Sequence, residues 1–210
     1  KSDSFDPKIG LEFRPVDDVM FYTSYSEGFK SGAVQSTATT IQIAARSANP
    51  ETVKAYEVGM KSEFFSNRFR LNIAAFQNEF DDLQVRRVVV FPGGFSSAII
   101  ENAASSTIKG LEIETSAVLS PEFQINASYA YLDASYGSYV VDASAGIDFS
   151  GNDLVRTPRH RYNLETIYTK AFGESELQLR AAYNYIGEFY YQPANLPRDL
   201  EDAHGLISAS

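Results

Sequence analysis

Three observations predict an all-β chain, part of a transmembrane antiparallel up-and-down β-barrel: apolar residues recur with a period of two, the strand patterns run long, and the connections alternate between tight turns and long loops. Phe69 to Val90 and Ile99 to Leu119 each carry strand pattern for about twenty residues, whereas strands of soluble sheets run about 5–6 residues. A membrane strand needs about 9–11 residues and barrels extend beyond the bilayer. A soluble β-sandwich would show the same alternation, but with shorter strands and a less regular sequence of loops.

The elements follow in order. An edge strand over Lys1 to Arg14 leads into a turn at Pro15-Val16-Asp17-Asp18, and a second strand runs to a long loop at Gly28 to Pro50. Tyr56, Val58 and Met60 then alternate with Glu57, Gly59 and Lys61 up to the turn Ser66-Asn67-Arg68. Leu71, Ile73 and Ala75 alternate with Arg70, Asn72 and Ala74, and Phe91 to Ser97 reads as the next long loop. The returning strand places Leu111, Ile113, Thr115, Ala117 and Leu119 on one face, with Gly110 and the Ala103 to Thr107 patch as places for a bulge or bend. After Ser120-Pro121-Glu122 come Phe123, Ile125, Ala127, Tyr129 and Tyr131, then a loop from Gly137 to His160. The turn Phe172-Gly173-Glu174-Ser175 opens a strand bearing Leu177, Leu179, Ala181, Tyr183 and Tyr185. A loop at Gln192 to Ala203 precedes a ninth strand that begins near His204 and is cut off at Ser210.

Composition fits this reading. The 13 Tyr and 15 Phe are a heavy aromatic load, which interfacial belts would use; the belt candidates are Phe21, Tyr25, Phe64, Phe69, Phe123, Tyr162, Tyr168 and Phe172. Lys plus Arg is 18 and Asp plus Glu is 27, so the net charge is 18 − 27 = −9, which argues against nucleic acid as a partner. The absence of cysteine excludes thiolate metal sites and cysteine nucleophiles, and the two histidines, His160 and His204, are far apart. No cofactor is expected. Lys1-Ser2-Asp3-Ser4 has no leader pattern, and the chain is expected to be an internal piece of a longer product.

Several stretches carry a resemblance. They are Tyr25-Ser26-Glu27-Gly28-Phe29-Lys30-Ser31-Gly32, then Asn49-Pro50-Glu51-Thr52-Val53-Lys54-Ala55-Tyr56-Glu57-Val58-Gly59-Met60-Lys61, Asn102-Ala103-Ala104, Ile108-Lys109-Gly110-Leu111-Glu112 and Arg156-Thr157-Pro158-Arg159-His160. In this order and spacing the chain resembles the C-terminal half of the β-barrel of TonB-dependent outer-membrane receptors. The resemblance implies about twenty-two antiparallel strands around a plug, of which residues 1–210 would supply about nine, with plug and C-terminal strands absent. It also implies location in the bacterial outer membrane and import of a scarce nutrient, most often a ferric siderophore. Its partners would be outer-membrane lipid, the protein's own plug, a small-molecule substrate, and the TonB-ExbB-ExbD system through the N-terminal part. By itself the chain is expected neither to close a barrel nor to fold stably, because both sheet edges would be exposed.

Candidate contacts for an anionic ligand or for lipopolysaccharide are Arg86, Arg87, Arg156, Arg159, His160, Tyr190 and Tyr191. Guanidinium groups suit bidentate recognition of phosphate or carboxylate, and tyrosines suit stacking. Each has a plainer reading: Arg86 or Arg87 in a salt bridge to Asp81, Asp82 or Glu101, the Arg156 to Arg161 cluster as structure around Pro158, and the tyrosines as belt. Glu57, Lys61 and Glu63 are expected to line the lumen and pair with neighbours or plug. A plug-less porin or autotransporter barrel, an outer-membrane lipase and a soluble adhesive β-domain are the competing functions. The lipase would need a serine–histidine pair facing lipid, and both histidines lie near loop-side strand ends. No enzyme chemistry is expected.

Overall fold

The computed structural model describes residues 4–35, 47–90, 94 and 96–210. Its strands, in chain order, are β1 (Lys8–Val16), β2 (Val19–Lys30), β3 (Ala33–Val34), β4 (Ser47–Ala48), β5 (Glu51–Phe64), β6 (Phe69–Val90), β7 (Ser96–Ser120), β8 (Phe123–Ser138), β9 (Val140–Asp142), β10 (Ile147–Asp148), β11 (His160–Phe172), β12 (Ser175–Ile186), β13 (Phe189–Tyr190), β14 (Leu200–Glu201) and β15 (His204–Ala209). Nine of them form one antiparallel sheet in the order β1-β2-β5-β6-β7-β8-β11-β12-β15, which is chain order. β1 and β15 are its two edges, so the barrel is not closed. Among the described residues no helix is long and apolar enough to cross a membrane.

Short turns sit at one end of this sheet, where sequence reading put them. Gly173 supplies the left-handed backbone (φ 65°) of the turn between β11 and β12. Arg68 ties two neighbouring turns together: its Nε and Nη2 donate to the carbonyls of Val118 (3.1 Å) and Leu119 (2.7 Å).

Register carries the two-residue period across the sheet. Leu11, Thr23, Val58, Ala75, Leu111, Tyr131 and His160 stand opposite one another in turn on successive strands. By alternation, one face carries Leu11, Phe13, Val58, Leu71, Ile73, Ile113, Ile125, Leu164 and Leu179, and all eight belt candidates fall on it. The other face carries Glu57, Lys61, Arg70, Asn72, Glu112, Glu114, Asn126, Glu165 and Arg180. The apolar run Phe123 to Tyr131 covers about 30 Å along its strand, which with barrel tilt matches an apolar band about 25 Å tall. This asymmetry is that of a barrel wall, apolar toward lipid and polar toward the lumen.

Two expectations are refined. Gly110 causes no shift in the β6–β7 register; it clears space, since a Cβ there would lie 2.4 Å from the ring of Phe76, its cross-strand partner. The irregularity sits within the Ala103 to Thr107 patch instead: β7–β8 pairing shifts at Ser105/Ser106, and opposite it Asp82 has φ 55°. Beyond this point the buried residues of β7 change from even (Ser106) to odd (Ala103, Ile99), re-aiming the outer hairpin. Of the expected loop Phe91 to Ser97, Ser96 and Ser97 join the paired strand, with Val90 opposite Ser96; residues 91–93 and 95 lie outside the described residues.

Candidate functional site

At the long-loop end the connections pack into a cap. Its apolar centre is Val85, Ala103, Ala134, Tyr136, Tyr139 and Leu154, with Leu83, Ile108, Val141 and Phe149 against it. The side chains come from the β6–β7 hairpin, the top of β8 and the segment between β8 and β11. Tyr136 and Tyr139 rings meet at 5.0 Å, and Phe149 meets Tyr139 edge-on at 5.4 Å.

Arg87 and Arg86 are separated by strand alternation. Arg87 forms a bidentate pair with Glu101, its cross-hairpin neighbour (Nε to Oε1 2.7 Å, Nη2 to Oε2 3.0 Å), and the Tyr139 hydroxyl donates to the same carboxylate. Burial opposes the charge of Arg87, but the hydrogen bonds and charge of Glu101 outweigh it and raise its pKa. Burial, then the Glu101 contact, pushes the Tyr139 hydroxyl far up, so it stays a protonated donor. This is the salt bridge to Glu101 that the plainer reading of Arg87 anticipated. Arg86 is exposed, and no ion pair to it occurs among the described residues.

The basic cluster at Arg156 to Arg161 is dispersed in space. Arg156, at φ 57°, donates its backbone N–H to the Tyr190 carbonyl (2.8 Å) and sets its guanidinium 5.5 Å from the centre of the Tyr191 ring. Phe189 meets the same ring edge-on at 5.1 Å. Arg159 donates to Asp153 (3.1 Å), which with that charge raises its pKa. His160 lies on the apolar face, hydrogen-bonded to the Tyr129 hydroxyl at 3.0 Å. Arg161 takes the opposite, inner face beside Asn163 and Asn184. Of the seven candidates, the structure gathers Arg156, Tyr190 and Tyr191.

Sequence reading passed over the side chains that join the loops. Asn195 reads the backbone of Asp153 twice: Asp153 N–H donates to its Oδ1 (2.7 Å), and its Nδ2 donates to the Asp153 carbonyl (3.2 Å). Asn152 Nδ2 donates to the carbonyl of buried Pro193 (2.8 Å), and Gly187 N–H to that of His160 (2.8 Å). On the other flank Gln35 exchanges two bonds with the Ile100 backbone (2.6 and 2.9 Å), while Gln84 and Asn102 bond to the backbone of Asn49 and Asp82. Asn102 stands in the Asn102-Ala103-Ala104 stretch already singled out; the other neutral amides carry no periodic signal, so nothing in the sequence marked them.

The inner wall is the second element. Glu57 and Glu112 sit on either side of Ala74 and Phe76 of β6, and Glu114 lies opposite Asn72; with Lys61 and Tyr22 they line one shallow cleft. Arg70–Glu63 and Arg180–Glu165 are paired, but no ion pair forms on Glu57, Glu112 or Glu114 among the described residues. No group of three or more His, Asp or Glu side chains fit to hold a metal ion occurs among the described residues.

A polar-lined open wall under a loop cap is the geometry that comparison with known proteins must place. The profile of the family "TonB dependent receptor-like, beta-barrel" matches residues 1–209. The chain belongs to the TonB-dependent receptors. It is 25% identical over 177 residues to the TonB-dependent siderophore receptor PiuA of Acinetobacter baumannii, covering 80% of this chain and 23% of that protein. It is 24% identical over 185 residues to the metal-pseudopaline receptor CntO of Pseudomonas aeruginosa, covering 87% and 23%. The ferric yersiniabactin uptake receptor FyuA of Yersinia pestis superposes at a TM-score of 0.75 with 17% identity, covering 96% of this chain and 28% of that one. The chain thus spans about a quarter of the length of the relatives it matches. Members of this family of transport receptors are outer-membrane β-barrels, which fixes the apolar face as the lipid face.

Proposed function

We propose that this chain is one stretch of wall, with its outer cap, of a receptor that carries a scarce nutrient across the outer membrane, a ferric siderophore first among the candidates. The observation that carries the reading is the family match along residues 1–209. The relatives' names, a siderophore receptor and a ferric yersiniabactin uptake receptor, support iron–siderophore cargo, and the metal-pseudopaline receptor keeps other chelated metals in view. In this reading residues 1–210 are part of a barrel domain of about twenty-two strands. The plug and the contact with TonB-ExbB-ExbD belong to the rest of the same protein. Glu57, Glu112 and Glu114, none in an ion pair among the described residues, would face that plug from the lumen wall. Arg156 with Tyr191, and exposed Arg86, are the groups an anionic chelate would meet at the cap.

The test is growth of iron-starved cells carrying the intact receptor as their sole uptake route, with ferric siderophores as the iron source. Growth that needs both the receptor and TonB is the expected result. Passage of small solutes that ignores TonB would overturn it in favour of a porin.

A further inference from the structure

The lumen wall is not uniform from one flank to the other. On β5 to β7 it carries Glu57, Glu112 and Glu114 with Lys61 as their neighbouring cation, while Arg70 is paired with Glu63. On β8, β11 and β12 it carries Ser128, Ala130, Arg161, Asn163 and Asn184. Farther toward the turns of this second flank, Glu165 is paired with Arg180 and accepts from Asn126 Nδ2 at 3.0 Å. With these pairs closed, the first flank is left negative. The second keeps Arg161 near the long loops and Glu176 near the short turns.

Arg161 is exposed, and its guanidinium has no hydrogen bond or ion pair among the described residues. Ala130 stands between it and Glu112 in the register. The two charges are therefore two strand spacings, about 10 Å, apart, beyond ion-pair reach, and each keeps its own field. Ser128 and Ala130 are short, so the wall is recessed beneath Arg161. A second recess, toward the turns, shares Ser128 and Asn163 with the first, and one groove runs down this flank. Asn163 Nδ2 donates to Asn184 Oδ1 (2.7 Å), which leaves the Asn184 N–H groups and the Ser128 hydroxyl without partners among the described residues. An anion inside the barrel is repelled by three carboxylates on one flank and drawn to a free guanidinium on the other, in a cavity that focuses both fields.

We propose that anionic cargo passes along the β8–β11–β12 flank of the lumen, drawn in by Arg161 and handed on by Asn163, Asn184 and Ser128 through exchange of hydrogen bonds. Conduction needs binding favourable enough to enter and weak enough to leave, and neutral amides and hydroxyls meet both conditions. Arg180, lower on the same flank, is neutralised by Glu165, so no second free guanidinium holds the anion there. Arg161 thus selects for charge in transit, apart from Arg156 and Tyr191 at the cap. The inference rests on the transport reading and adds to it the sign of the cargo's charge and the side of the barrel it follows.

The test measures initial uptake of radioactive iron by cells in which the intact receptor is the sole route. Ferric tris-catecholate and ferric citrate are the anionic probes, and a ferric trihydroxamate is the neutral one. Arg161→Glu is expected to lower the maximal uptake rate of the anionic chelate about fivefold while its binding to the cell surface is unchanged. Arg161→Lys should restore the rate, and Asn184→Asp should lower it by a smaller factor. Asn78→Asp, the same amide-to-carboxylate change on the lumen face of β6, should leave it unchanged. If Arg161→Glu fails to reach the membrane, Arg161→Gln and Asn184→Asp make the same comparison. An anionic chelate carried by Arg161→Glu at the parent rate, an equal loss for anionic and neutral chelates, or a parent that carries only the neutral one would overturn the proposal and leave the transport reading standing. Uptake of none of the three by the parent would overturn both.

Discussion

The membrane band and the outer cap are held together by different physics. In the band each strand exposes one face to lipid and one to the lumen, so its side chains stay partly exposed, Ser62 excepted, and cohesion comes from the backbone ladder. In the cap lie the buried apolar residues: Ala48, Val85, Ile99, Ala103, Ala134, Tyr136, Tyr139 and Leu154. A wall one sheet thick has no interior, and lipid supplies its apolar partner. The cap stands in water and must build its own core. The same chain is therefore sensitive to charge in one region and to volume in the other.

The largest effect expected on that contrast is at Tyr136, which is 1% exposed. Tyr136→Ala should destabilise the cap by about 3–5 kcal/mol, the range for emptying a large aromatic site. Proteolysis of the intact receptor should then cut within residues 139–159 while the strands remain paired. In the band, Leu164→Arg should cost about 2–4 kcal/mol near the bilayer midplane. Leu164→Ala should cost about 1 kcal/mol at most, because lipid refills the space. Refolding titrations into bilayers measure both, and equal costs would break the comparison.

Smaller effects sharpen it. Glu101→Ala leaves Arg87 largely buried (16% exposed) without its partner, and should loosen the hairpin-to-loop junction by about 2 kcal/mol. Hydrogen exchange at residues 96–103 reports it. Asn195→Ala removes both bonds to Asp153 and should free the two outer loops from each other at about 1–2 kcal/mol, seen as faster exchange in 187–199. The least effect is on pH. Asp142 is held below its ordinary 3.8 by the Ser144 hydroxyl and the Ala145 N–H, and Asp148 by Ser150. Their contribution to turn order is complete above pH 3.8 and is lost as pH falls through the depressed values. Exchange in 142–150 should therefore be flat at neutral pH and accelerate only in strong acid.

The wall was legible in the sequence because period two, turn residues and strand length are local signals. Val58, Ala75 and Leu111 announce their face by alternation alone, and Pro15-Val16-Asp17-Asp18 announces its turn. The cap was not. Its two- and three-residue strands, such as Phe189–Tyr190 against Leu200–Glu201, exist only because distant segments meet. Arg159, His160 and Arg161 are neighbours in sequence, but strand alternation sends His160 to lipid and Arg161 to the lumen. Glu101 was a weighed partner of Arg87, whereas Asn195 and Asp153, 42 residues apart, left no trace that periodicity could find.

The described parts of the four outer connections form one prebuilt cap and not a set of independent loops. Hydrogen–deuterium exchange on the intact, membrane-embedded receptor tests it most directly. Backbone amides of Leu132, Tyr136, Asp153, Leu154 and Arg156, each donating within the cap, are expected to exchange as slowly as those of the β11–β12 ladder. Exchange of these amides at the rate of open loops, with the ladder still protected, would contradict it.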